Sequence, residues 1–577
     1  MQRLRRFAID QGGALALAVA VFYVLGACPY IVENDNAEFA TLGAAGGIAH
    51  PSGYPAYVLW LRAWSWLPVS SPAHAAAIAT AILGVLQVLV LHAACRAWGA
   101  RPLAATLAVG VYAVAPLVAR YNTSAEAFAM NGLVVALVLW LAAANGPARG
   151  MLRAGLLGLV AGLGLANHLT CAVAAPVGLL GVVRAVREAG PLRSLPIAIG
   201  GLALGLGAYL YLLIAPDHLA SWRHPENLSD IVAIVLREDY GGMFGFSGSE
   251  AARPWAENLA ELARTVGRSW LWILPVGGLA ALGVAIARPR REPRAGWIAL
   301  AATIVLAGPL LVTRFDIPLD VVGLWTVRRF HLLPILLFVI PIALALELAA
   351  ARYEARLVGR LPAVLVVLVV LAATIASMPY LRRFRSPAMD YEVRNTLASL
   401  PQHAVLIGGV DELDVGIRYL QLACGERTDV TVIRWQTINW DWYAAKLAPF
   451  HYDKAKPFPR RQLIEQAFAR GLPVFVKVGI DKSDLDGLGR YPYGIVDRVL
   501  PPGAPMPTLD EVVTQNRDLF AKFRLDYAFP GRDDEWATWM HFNYEAVWRR
   551  LAGSLARAGN AAGAAAARDL AAQLAPR

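Results

Sequence analysis

Eleven apolar runs dominate this chain and fix the solvent it folds in. They lie at about 10–31, 73–97, 101–119, 127–145, 151–167, 169–187, 195–215, 268–288, 296–313, 329–350 and 361–379. A helix needs roughly 20 apolar residues to cross a hydrocarbon core about 30 Å thick. Inside that core no water bonds the backbone, so only helices and closed barrels satisfy their amides. The runs do not alternate with a period of two, which favours helices over a barrel. The expected fold is therefore a polytopic α-helical membrane protein with about eleven transmembrane helices. Only 16% of residues are charged, against about 25% in soluble domains.

The net charge of +11 does not point to nucleic acid, because the arginines fill short gaps between runs. After Arg3, Arg5 and Arg6, every second gap is basic: Arg96 and Arg101; Arg149 and Arg153; Arg184, Arg187 and Arg193; Arg288, Arg290, Arg291 and Arg294; Arg352, Arg356 and Arg360. Such gaps face the cytoplasm. Eleven spans then put the N-terminus inside and the C-terminus outside, and the expected location is the bacterial cytoplasmic (inner) membrane with a periplasmic C-terminal domain. Joining the two runs around Asn167-His168 into one kinked span would invert everything downstream, but the arginines after Val183 and Ala287 argue against it. The string L-G-A-C ending at Cys28 allows a competing reading of residues 1–27 as a cleaved leader. The four cysteines, Cys28, Cys95, Cys171 and Cys424, are scattered and give neither a disulfide framework nor zinc spacing.

From about residue 385 charged residues return. Short apolar runs beginning at His403, Asp429 and Leu472 read as buried strands, and Asp411 to Leu422 as a helix. The chain thus divides into a transmembrane unit, 1–384, and a soluble α/β domain, 385–577, whose Ala-rich tail from Leu551 reads as a solvated helix.

Directly after the first apolar run stands E-N-D-N-A-E-F-A-T-L-G-A-A-G-G-I-A-H-P-S-G-Y-P, Glu33 to Pro55. Asp35 and Glu38 share one face of a helical turn. Like charges that close raise one pKa, which suits a carboxylate that must accept a proton; the same pair could equally be solvated loop caps. Pro51 and Pro55 restrict the residues before them and predict extended geometry at His50 and Tyr54. A stiff turn that presents an imidazole and a phenol beside a bilayer reads as a site rather than a linker.

The string D-N-A-E-F…L-G…I-A-H-P-S-G-Y-P resembles the hallmark of the DUF2723 family, D-S-G-E-F…L-G-I-A-H-P-P-G-Y-P. That family is similar to protein O-mannosyltransferases, integral membrane glycosyltransferases of GT-C type. The likeness continues in S-A-E-A-F-A-M-N (124–131), G-L-G-L-A-N-H (162–168), R-E-D-Y-G (237–241), G-G-V-D (408–411), R-T-D-V-T-V-I (427–433) and N-W-D-W-Y (439–443). Asn36-Ala37, Ser52 and Val410 depart from the family pattern.

The resemblance implies transfer of a sugar, mannose among the candidates, from a polyprenyl-phosphate carrier to a hydroxyl of a protein, glycan or lipid. The transfer would be inverting and on the extracytoplasmic face. Asp35 then becomes the candidate general base, with Glu38 orienting the acceptor, tuning Asp35 or holding a cation. A phosphate leaving group needs cations. Arg237 beside Tyr240, and Arg328, Arg329 and His331, are placed to supply them. His50, Tyr54, Glu126, Asn131 and His168 complete the candidate substrate-binding set, although Glu126 and His168 also fit purely structural roles. No metal motif is evident, though Glu33, Asp35 and Glu38 could hold a divalent cation weakly. The lipid-linked donor is the expected partner, and no further cofactor is called for. The C-terminal domain is expected to bind the acceptor or cover the loop. A transporter or lipid flippase with an extracytoplasmic ligand-binding domain is the alternative, and a receptor the third. The first lacks an inverted repeat, and the second leaves Asp35, Glu38 and the His50 turn unexplained.

Overall fold

The structure is a computed structural model that describes residues 11–33, 35–242, 254–353, 361–408, 411–434, 437–438, 440–453, 459–477, 482–531 and 535–577. Arg3, Arg5, Arg6, Arg356, Arg360, Gly409, Val410 and Asn439 lie outside the described residues.

Each of the eleven apolar runs carries helix. Four helices, Pro72–Ala97, Leu169–Ala189, Pro191–Leu213 and Val364–Ser399, are long and apolar enough to cross a bilayer alone. Three pairs pass the same test together but are bent: Pro102–Val114 with Pro116–Asn122 by 71°, Trp255–Ser269 with Ile273–Ala287 by 99°, and Gly323–Leu337 with Val339–Ala350 by 40°. Gln11–Gly26, Phe128–Ala142, Gly150–Leu165 and Arg294–Leu310 are apolar but shorter. The chain is an integral membrane protein; by length and composition its described helices give four spans, or up to seven if each bent pair is one span, and the four shorter apolar helices lie at the remaining runs. The range from four to seven arises from the breaks, since each bent pair is one span only if it crosses as a unit. Pro116 has no N–H to continue the ladder and starts a new helix instead. The two runs around Asn167-His168 form separate helices, with a break at residues 166–168.

One helix crossing is made by glycines. A Cβ on Gly158 would sit 2.0 Å from the Ala198 carbonyl oxygen, and one on Gly201 2.4 Å from that of Gly155. Backbone therefore meets backbone between Gly150–Leu165 and Pro191–Leu206. Within a membrane, where apolar surface gains little from leaving lipid, such close packing supplies the attraction.

The soluble part holds a five-stranded sheet in the order β2-β1-β3-β5-β4. Its strands are β1 (Val405–Gly408), β2 (Thr431–Arg434), β3 (Val474–Val476), β4 (Gly489–Tyr493) and β5 (Val496–Leu500). β1 pairs in parallel with β2 and β3, with Val405 opposite Thr431 and Val474. Those three are the apolar runs legible in the sequence. The antiparallel hairpin β4–β5 carries no such run, because G-R-Y-P-Y and V-D-R-V-L interrupt their apolar residues with charge and proline. The helix from Asp411 runs to Arg418 and ends in a π turn, Tyr419–Ala423. The Ala-rich tail is not simply solvated. Helix Ala561–Leu574 buries Ala564, Ala567 and Ala571 in a cluster with Trp548 and Leu551 of helix Glu535–Arg557. Alanine permits this close helix pairing because it projects only a methyl.

The two parts share a core. Phe39, Leu42, Tyr57 and Leu61, which follow the first apolar run, pack in one buried cluster with Met389, Val393, Leu413 and Tyr419 of the α/β part. Tyr419 also accepts a hydrogen bond at its hydroxyl from the Ala73 N–H, 3.2 Å. The loop that follows the first apolar run is thus clamped beneath the soluble sheet.

Candidate active site

Helix Asn36–Ala45 begins directly after Asp35, and Glu38 lies in its first turn. The chain then turns through Gly46 and Gly47 (φ 80° and 112°) and re-enters helix at Pro55. This hairpin returns His50 to the carboxylates. Glu38 accepts from the His50 backbone N–H at 2.9 Å and pairs with Nδ1 at 2.6 Å. The other ring nitrogen, Nε2, lies 3.9 Å from Asp35 Oδ2. Arg329 Nη1 donates to the same Asp35 oxygen at 2.8 Å. Carboxylates and cations therefore alternate along Glu38, His50, Asp35 and Arg329.

The charges act on one another. Burial alone would push Asp35 up, but the adjoining His50 and Arg329 outweigh it and hold its carboxyl below the usual range. This corrects the expectation of a raised carboxylate: Glu38 is near, but His50 stands between it and Asp35. For His50, burial opposes protonation, yet Glu38 and Asp35 carry its pKa above the ordinary value of 6.5. Glu126 is pushed well up, first by burial and then by the Asp35 charge. His168 falls to about 3, through burial first and the Arg329 and Arg237 charges second.

Tyr54 departs from the extended geometry expected before proline. Its φ of 49° and ψ of 39° are left-handed. Pre-proline sterics disfavour the right-handed region; the left-handed one is costly without glycine. Packing compensates, because the ring lies against Phe39, His50 and His168 at centroid distances of 5.3, 4.9 and 5.6 Å.

Two adjoining cavities meet at Asp35, His50, Arg237 and Arg329. The outer one, of about 360 Å³, lies between the loop and the soluble part, with Trp222, Tyr240, Arg418, Arg434 and Trp442 in its wall. The inner one, of about 180 Å³, runs toward the helices and is lined by Tyr54, Glu126, Phe128, His168 and Phe330. The Arg237 guanidinium sits over the Tyr240 ring at 5.2 Å.

Of the residues expected from sequence, Asp35, Glu38, His50, Tyr54, Glu126, His168, Arg237, Tyr240 and Arg329 all line these cavities. Asn131 does not; its amide donates to Thr170 Oγ1 at 2.9 Å. Arg328 points away and pairs with Glu261 at 2.8 Å, and His331 is fully buried elsewhere. Helical rotation sends Arg328 and Arg329 to different sides. Glu33 leaves the carboxylate group. It forms a buried ion pair with Arg120 and accepts from Trp325 Nε1 at 3.1 Å. The trio able to offer ligand atoms to one cation is instead Asp35, Glu38 and His50, whose atoms lie within 4.8 Å of one another. The outer-wall residues Arg418, Arg434 and Trp442 were missed, since their place depends on how the soluble part docks.

Residues 35–189 match the family described as the Protein O-mannosyl-transferase TMEM260 N-terminal domain. The chain is 23% identical over 534 residues to Protein O-mannosyl-transferase TMEM260 of Mus musculus, across 85% of this chain and 75% of that protein. It is 18% identical to the tmem260 protein of Dictyostelium discoideum, across 75% of this chain and 58% of that one. The chain thus spans a little over half the length of the Dictyostelium relative. The crystal structure of ArnT from Cupriavidus metallidurans in the apo state superposes with a TM-score of 0.50 at 14% identity, covering 86% of this chain and 98% of ArnT. That likeness concerns the fold alone. The family match and the two relatives support a glycosyltransferase similar to protein O-mannosyl-transferases.

Proposed function

We propose that this chain transfers a sugar, mannose by the names of its relatives, from a polyprenyl-phosphate donor to an acceptor hydroxyl on the extracytoplasmic face, with inversion. The site belongs to the periplasmic side of a bacterial inner membrane in this reading. The observation that carries it is a carboxylate, Asp35, placed between the His50 imidazole and the Arg329 guanidinium at the junction of two cavities.

In this reading Asp35 takes the proton from the acceptor hydroxyl as its oxygen attacks the anomeric carbon. The bond from that carbon to the phosphate oxygen breaks on the opposite face, and the phosphate leaves as an anion. It needs compensating positive charge rather than a proton, and Arg237 and Arg329 line the junction. A phosphate entering there competes with Asp35 for Arg329. Loosening that pair raises the basicity of Asp35 when the donor is bound. Glu38 fixes the His50 ring, and these two with Asp35 could hold a divalent cation.

Sugar transfer from radiolabelled polyprenyl-phosphate mannose in membranes tests this. Asp35→Asn should lose about 10²–10⁴-fold, the usual contribution of a positioned base. Full activity in that variant moves the base elsewhere. Folded wild-type protein that transfers from no lipid-linked sugar sinks the enzyme reading.

A further inference from the structure

The inner cavity carries two polar groups that the transfer step leaves unused. Glu126 is 2% exposed, and neither carboxyl oxygen has a hydrogen-bond partner among the described residues. Burying a polar group without a partner is costly, so a group that lines a cavity in this state is completed by what enters the cavity. Burial, then the Asp35 charge, favours its protonated form, and a protonated carboxyl can both donate and accept.

His168 is set by a chain of hydrogen bonds. The Thr170 backbone N–H donates to its Nδ1 at 3.2 Å. That nitrogen is therefore an acceptor, and the neutral ring carries its proton on Nε2. The Thr170 hydroxyl also points at Nδ1, 2.8 Å away, and itself accepts from the Asn131 amide. Around the imidazole stand flat faces: Tyr54, Phe128 and Phe330, with centroids 5.6, 5.0 and 6.0 Å away.

Aromatic faces combined with a few directional donors and acceptors suit a polyhydroxylated ring, whose C–H faces pack on the π surface while its hydroxyls are bonded. A lipid chain would use the faces but leave Glu126 and His168 unsatisfied. We infer that the inner cavity holds the sugar ring of the donor, with hydroxyls bonded to Glu126 and to His168 Nε2–H, and that Asn131 and Thr170 are positioning residues that keep this proton on Nε2. The inference rests on the transfer reading and deepens it. The outer cavity is then left to the acceptor.

The test compares polyprenyl-phosphate mannose with polyprenyl-phosphate glucose in full-length protein. Glu126→Ala and His168→Ala should each lower kcat/KM for the preferred donor about 10–100-fold and narrow the preference between the two sugars, with acceptor KM unchanged. Glu126→Gln, a neutral isostere, should recover part of the loss. Thr170→Val should shift sugar preference in the same direction, and Thr170→Ser should restore it. Unchanged donor preference in folded Glu126→Ala and His168→Ala overturns the assignment. If wild-type protein transfers from neither donor, the transfer reading falls and calorimetric titration with polyprenyl-phosphate mannose decides the cavity. Binding weakened by Glu126→Ala keeps the assignment; no binding, or binding indifferent to that change, ends it.

Discussion

Glu38 answers the residue-scale question of why three carboxylates follow a membrane exit. It spends both oxygens on His50, so its charge is felt through that ring. Glu38→Gln removes the larger of the two carboxylate influences that raise the His50 pKa. The alkaline limb of the transfer–pH profile should then move to lower pH, measurable from initial rates between pH 5 and 9. Stability follows the same charges. His50, raised above 6.5, contributes stability that is complete below pH 6.5 and lost as pH rises through its folded value. Asp35, lowered from 3.8, contributes above pH 3.8 and loses that contribution as pH falls through its folded value. Melting temperature in detergent should therefore drop on both flanks, and Glu38→Gln should flatten the alkaline one.

Among the elements, the glycine crossing and the tight turn behind His50 do different work. Gly158 meets backbone across the helix pair, and a carbonyl cannot rotate aside as a side chain can. Gly158→Leu should cost at least the ~1–3 kcal/mol of an overpacked core and lower Tm in detergent, while Gly200→Leu, which meets nothing within 4 Å, should be nearly neutral. Gly47 (φ 112°) lets the chain reverse beside Leu42 and His218. The Tyr211 hydroxyl bonds its N–H at 3.1 Å. Any side chain there is strained in φ and meets Leu42 at 2.8 Å, so Gly47→Val should displace His50 and reduce transfer even where the membrane helices fold.

For the whole molecule, the soluble part completes both the core and the cavity. Lys446 pairs with Asp217 and donates to the Ser221 and Trp222 carbonyls at 2.9 Å each. Trp222 packs on Trp440 and Trp442 at 4.8 and 5.1 Å. Lys446→Met should loosen this seam and raise acceptor KM while leaving donor KM within about twofold. Truncation after residue 384 should abolish transfer, because it removes Arg418, Arg434, Trp442 and half of the cluster that buries Phe39. A truncated chain that still transfers at the wild-type rate would separate the soluble part from the site.

Apolar periodicity and length wrote the membrane class, the helical runs and three parallel strands directly into the sequence, because burial in lipid or in a sheet centre demands uninterrupted apolar residues. The Asp35–Tyr54 motif, legible as a stiff loop with carboxylates, lies where the two cavities meet. Partnership was not legible. Which arginine of Arg328 and Arg329 turns to Asp35, that Glu33 retires to Arg120, and that Asn131 bonds Thr170 depend on helix rotation and on contacts between residues 39 to 294 apart. The lowered pKa of Asp35 was hidden for the same reason. Local spacing placed a like charge beside it, and only the tertiary fold brought His50 and, from 294 residues away, Arg329 to reverse the sign.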